Sequence, residues 1–143
     1  MTNLEKAKNL LISENYTCVL CHESTVYTST FRGVKPLVQW KENGLEIRGF
    51  SAADKVIGRA TAFLYVLLGV SEVYAKVISK PALEVLQEHD VYTEYDELVD
   101  NIINRAGDGI CPFEAAVMEM LKPEEAYEAI KNKMQEMNII IEQ

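Results

Sequence analysis

The sequence has few of the features that mark proteins that bind nucleic acid or lipid. Of its 143 residues, 14 are Lys or Arg and 22 are Asp or Glu, so the formal net charge is −8. DNA, RNA and anionic membrane surfaces are normally bound by a basic face, so this composition disfavours all three partners. The longest apolar-rich run, residues 60–70, is far shorter than the roughly 20 residues of a membrane span. We therefore expect no nucleic-acid partner and no membrane.

Cysteine and histidine are also scarce, with three and two residues. An odd number of cysteines without an export signal predicts reduced thiols in the cytoplasm. Cys18, Cys21 and His22 match the Cys-x-x-Cys-His pattern of c-type haem attachment, and the same side chains are candidate zinc ligands. Residues 16–22 read as a buried strand, however, in which the odd spacing places the two thiols on opposite faces. Buried structural thiols are the favoured interpretation, and we predict no metal and no cofactor.

Recognised catalytic motifs are missing as well. The chain contains no Gly-x-Gly-x-x-Gly, P-loop or Gly-x-Ser-x-Gly element. The acidic run Glu94, Asp96, Glu97 and Asp100 is typical of a solvated face, and its spacing does not set two carboxylates across a cleft. The sequence therefore leaves open whether the protein is an enzyme, and it indicates no oligomeric state.

The chain length and the pattern of apolar residues predict a single α/β domain over residues 1–143. Helices are predicted over residues 2–14, 34–42, 81–88, 112–121 and 123–137, and strands over residues 16–22, 25–30, 73–78 and 91–95. The first two strands are joined by two residues and form a hairpin. The later alternation of strand and helix implies parallel pairing beside that hairpin. The predicted fold is a three-layer α/β/α domain with a mixed sheet.

The most informative segment begins with polar and charged residues at Ser51 and becomes almost wholly apolar up to Leu68. It predicts a buried helix from about Asp54 to Leu68, ended by Gly69 and packed at the centre of the domain. Asp54 then lies in the first turn, where the helix dipole favours a carboxylate. Ser51 is a candidate N-cap or cleft residue.

Lys55 and Arg59 suggest a ligand. Four residues apart on this helix, they repel each other near its positive end, which is explained if an anion lies between them. Solvated surface cations are the alternative interpretation. We predict a cleft in which Ser51, Asp54, Lys55 and Arg59 bind a small anionic molecule; a scaffolding protein with a vestigial cleft is a further option.

Cys111 is the candidate nucleophile. It follows a Gly-Asp-Gly turn and precedes Pro112 at a helix start, where the dipole favours a thiolate. The alternative is a small buried residue, with Glu114 reaching back to form a capping box. The alternative function is thus a metal-independent enzyme that uses Cys111 as nucleophile or sulfur carrier. We expect Cys111 to be the most reactive of the three thiols.

The order of hairpin, core helix, strand and further helix resembles the cytidine-deaminase-like fold. Zinc deaminases begin the core helix with His-x-Glu or Cys-x-Glu and the next helix with Pro-Cys-x-x-Cys. Pro81 matches the proline of that motif, but Ala82 and Val85 stand where the cysteines belong, and the core helix has no histidine. The resemblance implies this fold without its zinc site, and no cytidine or adenosine deaminase activity.

Three segments resemble a more specific family of small bacterial and archaeal proteins, called domain of unknown function 1893. They are Cys21–Ser29, Ala53–Ala60 and Gly109–Glu114. The resemblance spans nearly the whole chain. It implies a deaminase-like fold without the zinc motifs, and it implies no established activity.

Overall fold

The computed structural model of the protein describes residues 1–31, 33–104 and 106–140, which form six helices and five strands. Their bounds are α1 (Asn3–Ser13), β1 (Cys18–His22), β2 (Thr25–Ser29), α2 (Lys35–Glu42), β3 (Ser51–Ile57), α3 (Arg59–Leu68), β4 (Glu72–Ser79), α4 (Lys80–Glu88), β5 (Tyr92–Val99), α5 (Pro112–Val117) and α6 (Pro123–Glu136).

The strands form one mixed sheet in the order β2-β1-β3-β4-β5. Strands β1 and β2 are the predicted antiparallel hairpin, and β1 also pairs antiparallel with β3. Strands β3, β4 and β5 are parallel and are connected by α3 and α4. The predicted combination of a hairpin with parallel strands is confirmed.

Helices cover both faces of the sheet. On one face, α1 packs against β1, β3 and β4 over a small apolar cluster that includes Leu11, Cys21 and Tyr74. Thr2 caps α1, because its Oγ1 accepts a hydrogen bond from the Glu5 amide at 3.1 Å. The larger core on the other face includes residues of all five remaining helices. The predicted three-layer α/β/α architecture is confirmed.

The predicted helix from Asp54 to Leu68 is wrong in its first part. Residues Ser51–Ile57 form strand β3, and α3 begins only at Arg59, after the extended residue Gly58. Strand β3 is the middle strand of the sheet with helices on both faces, so most of its residues are buried on either face and it lacks the alternation of a half-buried strand. A strand without that alternation is not distinguished from a buried helix by its periodicity.

The remaining part of that prediction is confirmed. Helix α3 packs against α2, α4, α5 and α6, which places it at the centre of the larger helical layer. It ends at Gly69, which adopts the left-handed conformation with φ +81°. No helix within the described residues is long and apolar enough to cross a membrane.

Candidate ligand-binding cavity

A cavity of about 440 Å³ lies around the carboxyl end of β3 and the start of α3. Its apolar wall includes Val34, Val56, Ala60, Ile102 and Phe113. Its polar side chains are Thr17, Asp54, Lys55, Thr61, Cys111 and Glu114. In open α/β sheets, ligands bind outside the carboxyl ends of parallel strands, and this cavity occupies that position.

Asp54 is a buried carboxyl group in this cavity. Its Oδ2 accepts a hydrogen bond from the Tyr65 hydroxyl at 2.6 Å, and its Oδ1 accepts one from the Val56 amide at 3.2 Å. Burial raises the pKa of Asp54 to about 7, although these hydrogen bonds partly oppose the rise. Asp54 therefore gains and loses its proton near neutral pH.

Two further groups lie behind Asp54, on the side away from solvent. The Cys18 Sγ lies 3.1 Å from the Tyr65 hydroxyl oxygen. Burial, reinforced by the charge of Asp54, raises the pKa values of both Cys18 and Tyr65. Both groups therefore stay protonated at neutral pH, and Asp54 is the member of this chain that titrates there.

Lys55 is the cation among the described residues of the cavity wall. It lies on β3 and not in a helical turn, and its Nζ donates a hydrogen bond to the Asn15 Oδ1 at 2.9 Å. An ammonium group has three donors. Neighbouring residues of a strand point to opposite faces, so this ammonium group lies on the α1 side of the sheet, opposite the face that carries the Asp54 carboxyl group.

Arg59 does not take part in the cavity wall, contrary to the predicted pairing with Lys55. It is buried at the start of α3, and its guanidinium group donates to the carbonyl oxygens of Val117, Pro81 and Met120 at 3.1, 3.3 and 2.6 Å. With Lys55 on a strand, the two cations are not neighbours on one helix face. The guanidinium group of Arg59 instead connects main-chain segments of the fold.

Ser51 also lies away from the cavity. At the start of β3, its hydroxyl donates to Glu72 Oε1 at 2.6 Å, and it does not cap a helix. Of the sequence-predicted site residues, the structure therefore brings Asp54, Lys55 and Cys111 to one cavity and places Ser51 and Arg59 elsewhere.

The carboxylate of Glu114 joins the starts of two helices. It accepts hydrogen bonds from the Arg59 amide and, at 3.0 Å, from the Ser79 hydroxyl. Ser79 is in turn the N-cap of α4 and accepts from the Ala82 amide at 3.2 Å. Helix α3 has no capping side chain of its own at Gly58, so Glu114 caps it from a distant segment. A negative charge is favourable there.

This role of Glu114 replaces the predicted capping box. Helix α5 begins after Cys111 without a side-chain capping hydrogen bond. Cys111 is partly exposed on the cavity wall, and it is a free thiol, as are the buried Cys18 and Cys21. The last two lie on opposite faces of the sheet, as the spacing predicts, so one metal ion cannot bind both side chains.

Several residues of the cavity were not predicted. Thr61, in the first half of α3, lies on the cavity wall, and Tyr65, one turn further on, donates from behind the wall to Asp54 of β3. Gly58, which separates β3 from α3, is the local signal that could have corrected this assignment. Within the described residues, no group of three or more His, Cys, Asp or Glu side chains is placed to share a metal ion.

A mixed sheet between two helical layers, with a cavity beside its middle strand, defines an α/β protein with a site in the usual position of that class. The chain belongs to the family described as "Domain of unknown function (DUF1893)", which it matches over residues 6–134. The structure is similar to the crystal structure of a DUF1893 family protein from Thermotoga maritima, with a TM-score of 0.85 and 29% sequence identity. That match covers 92% of this chain and 89% of the other.

A second solved structure is much less similar. It is a diaminohydroxyphosphoribosylaminopyrimidine deaminase/5-amino-6-(5-phosphoribosylamino)uracil reductase from Thermotoga maritima, with a TM-score of 0.44 and 9% identity. The match covers 80% of this chain and 40% of the other, and it carries no argument about fold or function. Among curated proteins, none matches this chain. The cytidine-deaminase-like arrangement stays a prediction.

Proposed function

We propose that the protein binds a small molecule that carries an anionic group in this cavity. The observation that carries the proposal is the cavity itself, about 440 Å³ in volume, with an apolar wall and a few polar groups gathered beside Asp54. Small-molecule sites typically have volumes of roughly 300–1,000 Å³ and this division between apolar walls and a few polar groups.

The polar groups favour an anion over a cation. Ala60 and Thr61 place the first turn of α3, the positive end of the helix dipole, on the wall. Thr61, which is only 6% exposed, adds a hydroxyl group to the wall. A hydroxyl group can donate a hydrogen bond to an oxygen of a bound ligand.

The binding proposal is tested by native mass spectrometry of the protein after exposure to a filtered cell extract. We expect a bound small molecule in the wild type and its loss in Ala60→Leu, which fills part of the cavity. Ala115→Leu adds the same atoms at an exposed position of α5 and is the matched control. Equal recovery of the molecule from both variants would place it outside the cavity.

A second candidate function is a metal-independent enzyme with Cys111 as nucleophile, and the place of this thiol on the same cavity wall favours it. A covalent adduct on Cys111 after exposure to the extract, absent in Cys111→Ser, would support the enzyme. A bound molecule that survives Cys111→Ser would support the binding protein. The free thiols favour a reducing compartment such as the cytoplasm.

A further inference from the structure

Strand β5 forms an open edge of the sheet. Within the described residues it pairs with β4 alone, so its other side has no neighbouring strand. Such an edge presents a row of backbone N–H and C=O groups that can pair with another extended chain. The strand is eight residues long and contains neither Lys nor Pro, two residues that often block sheet edges. The edge is therefore able to accept a sixth strand.

The two faces of β5 differ in chemistry. On the α1 face, Glu94 is in register with Tyr74, and Asp96 accepts a hydrogen bond from the Tyr74 hydroxyl at 2.5 Å. Both carboxylates are exposed. On the opposite face, Tyr95 and Leu83 of α4 line a shallow groove. Because side chains alternate along a strand, a sixth strand would meet carboxylates on one face and apolar groups on the other.

Three exposed carboxylates of β5 form no ion pair among the described residues: Glu94, Asp96 and Glu97. Lys76 of the neighbouring strand β4 is exposed and makes no ion pair with them within that part of the chain. The strand itself carries no cation. The edge therefore presents negative charge to a chain that pairs with it.

This charge disfavours a second copy of the protein at the edge. An antiparallel pairing of β5 with β5 around a twofold axis would bring the carboxylates of the two copies close together. Like charges on neighbouring strands destabilise a sheet, and each chain has a formal net charge of −8. A segment with Lys or Arg at alternate positions would instead meet opposite charges.

We propose that β5 binds an extended segment of another protein in which basic and apolar residues alternate. The segment adds a sixth strand, and its basic side chains contact Glu94 and Asp96. Its apolar side chains enter the groove beside Tyr95 and Leu83. Strand addition of this kind combines main-chain hydrogen bonds with pockets for alternate side chains. Tyr92 and Tyr95 are 58% and 42% exposed, and tyrosine is enriched in protein interfaces.

The probe is a peptide of alternating lysine and valine, with acetylated and amidated ends and matched in length to β5. One control peptide alternates glutamate and valine. The other has the same lysines and valines segregated into two halves, which keeps the charge and removes the alternation. Titrations of the isotopically labelled protein are followed by NMR. We expect the alternating lysine peptide to bind at least about tenfold more tightly than either control.

Amide hydrogen exchange distinguishes strand addition from general attraction between charges. In the complex with the alternating lysine peptide, the N–H groups on the open side of β5 donate to the peptide. Exchange at alternate residues of β5 should therefore slow, while exchange in the distant strand β2 should stay unchanged.

Charge reversal assigns binding to this edge. Glu94→Lys combined with Glu97→Lys should weaken binding of the alternating lysine peptide at least about tenfold and strengthen binding of the glutamate peptide. Glu14→Lys combined with Glu46→Lys changes the net charge equally at two exposed positions outside β5, and is expected to change both affinities by less than about twofold.

Three outcomes would overturn the inference. Equal binding of the segregated peptide, without slower exchange in β5, would show only general attraction between charges. Binding of none of the peptides at millimolar concentration would show that the edge does not accept a basic segment. A wild-type dimer in analytical ultracentrifugation, with β5 amides protected at its contact, would show that a second copy occupies the edge. The described cavity wall contains no residue of β5, so none of these outcomes decides the proposed function.

Discussion

At the scale of single residues, Gly58 lies in close contact with side chains from distant segments. A Cβ added there would lie 2.9 Å from Glu114 Cδ and 3.1 Å from Ile102 Cγ1, which are closer than real Cβ atoms normally approach. The absence of a side chain allows the Glu114 carboxylate to reach the start of α3. We predict that Gly58→Ala displaces Glu114 and lowers the free energy of unfolding by about 1–3 kcal/mol.

Gly109→Ala is the matched control for this prediction. A Cβ there meets only Asn104 Nδ2, at the ordinary contact distance of 3.6 Å, so little change is expected. Urea unfolding of both variants and the wild type measures the difference. Equal stability of the two variants would show that Glu114 can move away from an added methyl group at residue 58 without lowering the free energy of unfolding.

The thiol of Cys111 is predicted to react first with alkylating reagents. Cys18 and Cys21 are buried, and burial raises their pKa values, which leaves them both inaccessible and weakly ionised. Cys111 is partly exposed. Iodoacetamide treatment of the native protein, read by peptide mass spectrometry, should modify Cys111 ahead of the other two. Earlier modification of Cys18 or Cys21 would remove the support for the enzyme hypothesis.

At the scale of helices and strands, Arg59 connects segments that are distant in the chain. Its guanidinium group binds carbonyl oxygens of Pro81 in α4, Val117 at the end of α5 and Met120 before α6. Arg59→Gln would leave some of these acceptors without donors. We predict a loss of about 2–4 kcal/mol in the free energy of unfolding, since buried hydrogen bonds to a charged group are costly to remove.

Lys55→Gln is the control for Arg59→Gln, because it removes the same charge from a partly exposed side chain. It should change stability by no more than about 0.5 kcal/mol. Thermal unfolding of both variants tests whether Arg59 stabilises the fold more than Lys55 does. Similar destabilisation by the two substitutions would show that Lys55 has a structural role as well.

The helices and strands show how far local patterns determine this fold. The hairpin, α1, α2, α4 and α6 were predicted closely, because their caps, prolines and periodicity are local signals. Strand β3 was missed because the environment that buries it on both faces arises only after the sheet and both helical layers assemble. The same error placed Lys55 and Arg59 on one helix face.

At the scale of the whole molecule, the cavity depends on contacts between distant segments. Thr17, Val34, Asp54, Ile102 and Cys111 lie on its wall although they are far apart in the sequence. Local spacing carries no information about such an arrangement. Asp54, Lys55 and Cys111 could be singled out by their chemistry, whereas Thr61, Tyr65 and Glu114 acquire their positions only from the packing of α3 and α5.

Asp54 also links the stability of the whole fold to pH. Burial raises its pKa from 3.8 to about 7, so between these pH values the folded protein holds a proton that the unfolded chain has released. The free energy of unfolding contributed by this residue therefore decreases as the pH rises from about 4 to about 8, by up to about 4 kcal/mol.

Asparagine cannot ionise, so Asp54→Asn should remove this decrease. We predict that the variant and the wild type have similar stability at pH 4 and that the variant is more stable at pH 8. Urea unfolding at pH 4, 6 and 8 measures the difference, and parallel pH dependences of the two proteins would contradict the assignment of a buried neutral carboxyl group to Asp54.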